Sequence, residues 1–334
     1  MASIPPPPPP PEPSERLREL VRSGRFADAL AAFRAGDGPG WRRPDLLLLA
    51  ATAATRIGEL AEARSLAAEA LAGFRARGDL DGRMRALNLL GVIGFEQGRV
   101  PEAESAFREA LALAQELADT QLAARAANNL ASLEHLRGRA AEALSLYRGA
   151  LLAYQRLGDR RGAAETYHNL GLVFREMENW REAEDAAGEA VRHAEVVGEP
   201  SLLAIAVTGR AEIRLQRGEL ALAEPELDRA ARFARDSGDE LGVAEVRRLR
   251  ARAAIGRGDD VTALQEAEAA YGVATAQQAA LLAADCAAVL ALALRRLGRE
   301  ADAASRRSEA LDAYHGLGAE HLAARFEAEW AAGA

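Results

Sequence analysis

The chain has 334 residues, 49% of them apolar, 5% aromatic and 28% charged, with a formal net charge of −8. That acidic balance excludes broad affinity for phosphate backbones, which draws on a sustained positive excess, so no nucleic-acid partner is expected. Lysine is absent, which excludes a P-loop and Schiff-base chemistry, and Cys286 stands alone, which excludes an intramolecular disulfide or a cysteine-rich zinc site.

Taken in chain order, residues 1–13 form a proline-rich tail in which the run Pro5 to Pro11 cannot donate backbone hydrogen bonds and is expected as solvated polyproline II. Two readings of it stand, a disordered spacer and a ligand for a proline-binding module. Ser14 suits the first helix N-cap. No basic-then-apolar leader precedes it, and the most apolar stretch, Ala279 to Leu294, is short and carries Asp285. A cytoplasmic protein with no membrane partner is therefore expected, and the use of arginine for every cation suggests a GC-rich bacterial source.

A repeat then occupies nearly the whole chain. Gly58, Gly98, Gly138, Gly218, Gly258 and Gly298 lie on a lattice of step 40, with Glu178 in the remaining position. Alanine recurs five residues beyond each point, from Ala63 and Ala103 to Ala303, and again seven further on, from Ala70 and Ala110 to Ala310. Seven residues before each point stands Ala51, Gly91, Ala131, Gly171, Ala211, Ala251 or Ala291. Small residues in register mark places where two helices cross too closely for a larger side chain. Phe107 and Tyr147 sit between paired alanines and fill the wider gaps. A second glycine column, Gly78, Gly158, Gly198, Gly238 and Gly318, suits helix ends, and the acids after it, Asp79, Asp159, Glu199 and Asp239, include three aspartates that can cap the next helix. Each unit reads as helix, tight turn, longer helix, glycine-acid turn.

These residues resemble the tetratricopeptide repeat family, in a variant of 40-residue period. The resemblance rests on Asn169-Leu170-Gly171 with Ala183 and Ala190, and on Leu90-Gly91 with Ala103, Phe107 and Ala110. An earlier unit around Gly24, Ala29 and Phe33 precedes Gly58 by the family's usual 34 residues. The resemblance implies an all-α, right-handed superhelical solenoid over residues 14–318, of about eight hairpins. Residues 319–334 follow as a capping helix, on which Leu322, Phe326 and Trp330 make one apolar stripe. Arg210 and Arg250 depart from the family by standing where leucine is usual, so their hairpins are expected to pack loosely or to expose a partner surface.

Catalytic and metal chemistry find no support. His135, His168, His193, His315 and His321 make no zinc motif, GxSxG does not occur, and the carboxylates alternate with arginines as helix-surface partners. No cofactor, metal site or catalytic residue is expected, and an enzyme ranks third among the readings.

In the family the first helix of each hairpin lines a concave groove, so the resemblance makes its outward positions ligand contacts. Ten residues before the lattice points stand Leu48, Asn88, Asn128, His168, Thr208, Arg248 and Ala288, with Asn129 and Asn169 one place on. Carboxamides there both donate and accept, which suits a peptide backbone. Arg85, Arg125, Arg175, Arg248 and Arg252 add guanidinium groups able to grip carboxylates bidentately. The candidate groove is therefore Arg85, Asn88, Arg125, Asn128, Asn129, His168, Asn169, Arg175, Arg248 and Arg252, and the expected ligand is a peptide or protein segment carrying acidic residues. The competing reading pairs these arginines with Glu165, Glu212 and Glu245. The leading function is an adaptor or scaffold; the alternative is a signalling-peptide receptor acting through a separate output protein.

Overall fold

The computed structural model describes residues 13–36 and 39–333, so the proline run lies outside it. The described residues form eight antiparallel hairpins and a terminal helix, with no strand. The first four hairpins pair α1 (Pro13–Arg22) with α2 (Phe26–Arg34), α3 (Pro44–Arg56) with α4 (Leu60–Arg77), α5 (Leu80–Glu96) with α6 (Val100–Glu116), and α7 (Thr120–Leu136) with α8 (Ala140–Leu157). The next four pair α9 (Arg160–Glu176) with α10 (Trp180–Val197), α11 (Pro200–Gln216) with α12 (Leu220–Asp236), α13 (Glu240–Arg257) with α14 (Asp260–Ala276), and α15 (Ala280–Arg296) with α16 (Glu300–Gly316). A 3-10 turn at Pro39–Arg42 precedes α3, and α17 (Glu320–Ala332) ends the array.

The turns explain the period. From Gly58 to Gly318 every twentieth residue has positive φ, and where the glycine is missing Ala118, Glu178 and Gln278 adopt it at 54°, 57° and 60°. Neighbouring geometry thus holds three L-residues in a region they seldom occupy. Asp79, Asp159 and Asp239 cap the following helices, their carboxylates accepting from the amides of Gly82, Gly162 and Gly242 at 2.9, 2.9 and 2.8 Å. Glu199 makes no such cap; its longer side chain receives Arg56 and Arg161 instead.

The small-residue columns are the hairpin crossings. Every alanine in them is at most 2% exposed, and a Cβ on Gly91 would lie 2.4 Å from the Phe107 ring. Ala143, fully buried beside Ala131 and Tyr147, is representative. Ala143→Leu should therefore overpack the crossing and cost about 1–3 kcal/mol, measured by urea denaturation; an unchanged midpoint would show that the hairpin can relax around it. At the two departures, Arg210 pairs with Glu226 across its own hairpin and Arg250 with Asp228 of the preceding hairpin. Ion pairs stand there in place of leucine packing, largely buried at Arg210 and open to solvent at Arg250.

The array closes on itself. The tips of early hairpins meet the starts of late first helices: a Cβ on Gly58 would touch Leu241, one on Gly98 would touch Ala280 and Leu317, and one on Gly138 would touch His321. Gln97 donates to Gln278, 181 residues away, at 3.2 Å. One apolar cluster joins Val100, Leu133 and Leu136 to Leu317, Leu322 and Phe326. Such a cluster removes apolar surface from water at a seam between sequence-distant elements, which holds the superhelical turn shut. Trp330, under the Arg295 guanidinium at 4.7 Å, covers the last hairpin.

Candidate functional site

The closed turn lines a half-open cavity of about 490 Å³, within the range of small-ligand sites. Its wall is built largely from first helices, but different hairpins contribute different ends. Early hairpins supply residues beside their lattice turns: Thr55 and Arg56, Phe95 and Glu96, His135 and Leu136, Arg175 and Glu176. Late hairpins supply the amino-terminal halves of their first helices, including Ile205, Thr208, Glu245, Arg248 and Asp285. From α17 come His321, Leu322 and Arg325.

Four of the ten sequence-derived residues line this cavity: His168, Asn169, Arg175 and Arg248. The structure does not bring the other six to it. Asn88 and Asn128, 7% and 6% exposed, stitch first helices together, Asn88 accepting from Asn129 at 3.1 Å and Asn128 accepting from Thr166 at 3.0 Å. Their carboxamide oxygens are used by the fold. Arg85 is exposed and pairs with Asp81 on its own helix at 3.1 Å, Arg125 lies beside the Tyr154 hydroxyl, and Arg252 grips Glu329 of α17 at 2.6 and 2.9 Å.

Of the four, His168 and Asn169 have no side-chain hydrogen-bond partner among the described residues. The His168 ring lies over Gly209, where a Cβ would come within 2.4 Å of Nδ1. Burial lowers the imidazole to about 4, so at neutral pH it is uncharged and both donates and accepts. The two arginines are engaged. Arg248, 6% exposed, donates to Glu245 at 2.6 and 2.9 Å and to Glu212 at 3.0 Å, while Arg175 meets Glu212 at 2.5 Å. Burial opposes ionisation of Glu212, yet Arg175 and Arg248 outweigh it and hold its carboxyl down at about 2. Arg175 thus pairs with Glu212, and Arg248 with both Glu212 and Glu245.

Three cavity groups were not among the ten, although Thr208 shares the column of Asn88, Asn128, His168 and Arg248. Glu96 lies at the end of α5 with no ion-pair or hydrogen-bond partner among the described residues, and burial, with Asp239 and Glu245 nearby, pushes its carboxyl up to about 7. Glu176 receives His135 Nε2 at 2.8 Å, His321 Nε2 at 3.5 Å and Arg325 at 3.7 Å, drawing α7, α9 and α17 together. Thr208 is 8% exposed, and its hydroxyl has no partner among the described residues. The signal for the two carboxylates was their place two residues before the lattice point, where Arg56, Glu96, Leu136 and Glu176 all prove to face inward.

Comparison with known proteins agrees with this architecture. Residues 43–116 and 122–195 match the family model of the tetratricopeptide repeat. No curated protein matches the chain in sequence. Among solved structures, a Rap protein complexed with Competence and Sporulation Factor superposes with a TM-score of 0.71 at 16% identity, covering 91% of this chain and 85% of that one. The Rap conjugation gene regulator of plasmid pLS20 in complex with the Phr* peptide gives 0.67 at 13% identity, with 91% and 94% covered. Aspartyl phosphate phosphatase F from Bacillus subtilis gives 0.60 at 11%, with 90% and 93% covered. At these identities the likeness establishes the fold alone. No described helix is long and apolar enough to cross a membrane.

Proposed function

We propose that this tetratricopeptide-repeat protein binds a short peptide, or an extended segment of a partner protein, inside its closed superhelical turn, and that it does so without a catalytic step. The observation that carries the reading is the cavity itself, where the Asn169 carboxamide, the neutral His168 ring and the Thr208 hydroxyl stand on adjacent first helices without partners among the described residues. Such groups can meet the amides and carbonyls of a peptide, whatever its side chains. The acidic ligand suggested by the arginines has weaker support, since each arginine of the wall already faces a carboxylate.

A second reading, a receptor that signals through a separate output protein, is favoured by the seam. Residues from α17 and from the early hairpin tips both line the cavity, so an occupant there would touch both sides of the closure. Two neighbours in fold were solved as complexes, one with Competence and Sporulation Factor and one with the Phr* peptide, which makes the cavity the natural place to look.

A random hexapeptide pool passed over the full-length protein, with retained peptides identified by mass spectrometry, tests this. We expect a retained set whose members all weaken about threefold to tenfold on Asn169→Ala, the effect of losing a neutral hydrogen bond. Retention untouched by this change and by His168→Ala would move the site off the cavity. Cleavage of retained peptides would overturn the non-catalytic part.

A further inference from the structure

The cavity wall carries six carboxylates, Glu96, Glu176, Glu212, Asp239, Glu245 and Asp285, against four guanidinium groups, Arg56, Arg175, Arg248 and Arg325. Three of the cations are committed, Arg56 to Glu199 at 2.9 Å, Arg175 to Glu212, and Arg248 to Glu212 and Glu245, while Arg325, half-exposed, stands 3.7 Å from Glu176. Two of the remaining carboxylates have neutral partners, Asp239 accepting from the Gly242 amide at 2.8 Å and Asp285 from the Tyr314 hydroxyl at 2.7 Å. Glu96 has neither kind of partner among the described residues. Thr208, more than nine-tenths buried in the same wall, leaves its hydroxyl unpartnered as well.

We propose that the ligand of this cavity presents a cationic group, a guanidinium or an ammonium, to Glu96, with Asp239 and Glu245 of α13 reinforcing the site from across the seam. This deepens the peptide reading and rests on it. An incoming cation would gain a charge-assisted hydrogen bond at an unpaired carboxylate and would relieve the repulsion among three acids in a partly water-excluded space. An incoming anion would have to displace an existing ion pair at Arg56, Arg175 or Arg248. The raised Glu96 carboxyl fits the same arrangement, because binding of a cation there would expel its proton. Arg56, His135, Asp239, Glu245, Arg248 and Asp285 line the cavity with it and set its field.

The retained hexapeptides supply the probe. Lysine and arginine should be enriched over aspartate and glutamate several-fold relative to the input pool. A retained cationic peptide should bind Glu96→Gln about tenfold or more weakly, and the wild type about tenfold more tightly at pH 8 than at pH 6, with that slope absent in Glu96→Gln. Glu96→Gln should melt no lower than wild type at pH 8, since it removes an uncompensated charge, and Glu96→Asp should retain part of the preference. Enrichment in acidic residues, no charge preference, or a pH slope that survives in Glu96→Gln overturns the cation site while leaving an Asn169-dependent peptide site standing. Retention of nothing overturns both.

Discussion

Replacing Arg248 by methionine is expected to cost about 3–5 kcal/mol at pH 8, because it leaves two half-buried carboxylates without their shared cation. Arg248 is 6% exposed and bonds Glu212 and Glu245 on successive first helices. Methionine fills much of the same volume, so the loss would report charge rather than a cavity. Glu212 owes its low value of about 2 to Arg175 and Arg248 once burial is overcome, whereas burial keeps Glu245 raised even with Arg248 in place. Without Arg248 both would take up protons at higher pH. The deficit should thus be greatest at pH 8 and shrink as the pH falls through the raised values these carboxylates take in the variant, because unfolded-state protonation is common to both proteins and cancels. Urea denaturation of wild type and variant at pH 8 and pH 4.5 checks this. A loss under 1 kcal/mol at pH 8 would mean that water reaches the two carboxylates freely.

Glu176→Gln should cost on the order of 3 kcal/mol at pH 7 and should free α17 first, since this carboxylate is where α7, α9 and α17 meet. Burial alone would raise Glu176, but hydrogen bonds from His135 and His321, with Arg175 near, hold it well below the usual carboxylate range. For a carboxylate depressed in the folded state, the contributed stability is present above the unfolded value and lost as pH falls below it. The difference between wild type and variant should accordingly persist down to about pH 5 and fade in more acid solution. Hydrogen exchange of the α17 amides should quicken, while the helices of the first hairpins keep their protection. Uniform loss of protection would show that the closure and the array unfold as one unit.

Much of this molecule was legible in its sequence. The step-40 glycine lattice and its alanine columns placed seven hairpins, because a close crossing admits only glycine or alanine and a tight turn favours positive φ, while the unit at Gly24 and the stripe of Leu322, Phe326 and Trp330 added the first hairpin and the terminal helix. Both requirements act within a hairpin or between adjacent hairpins, so they repeat visibly along the chain. The capping aspartates were legible for the same reason. The ion pairs of Arg175 and Arg248 were present among the alternatives, since their acids lie on neighbouring first helices.

Which residues face the ligand space was decided by tertiary structure alone. Sequence columns treat every hairpin alike, and Asn88, Asn128 and His168 share one column, yet the structure buries the first two in contacts between first helices and opens the third to the cavity. The difference arises because the superhelix closes: the tips of early hairpins meet the beginnings of late first helices, so the early ones expose their last turn and the late ones their first half. That closure depends on contacts such as Gln97 with Gln278 and Glu176 with His321, between residues far apart in the chain and outside any shared column. A periodic sequence records what each repeat asks of its neighbour. The pairing of one superhelical turn with the next leaves no periodic trace, and the cavity lies within it.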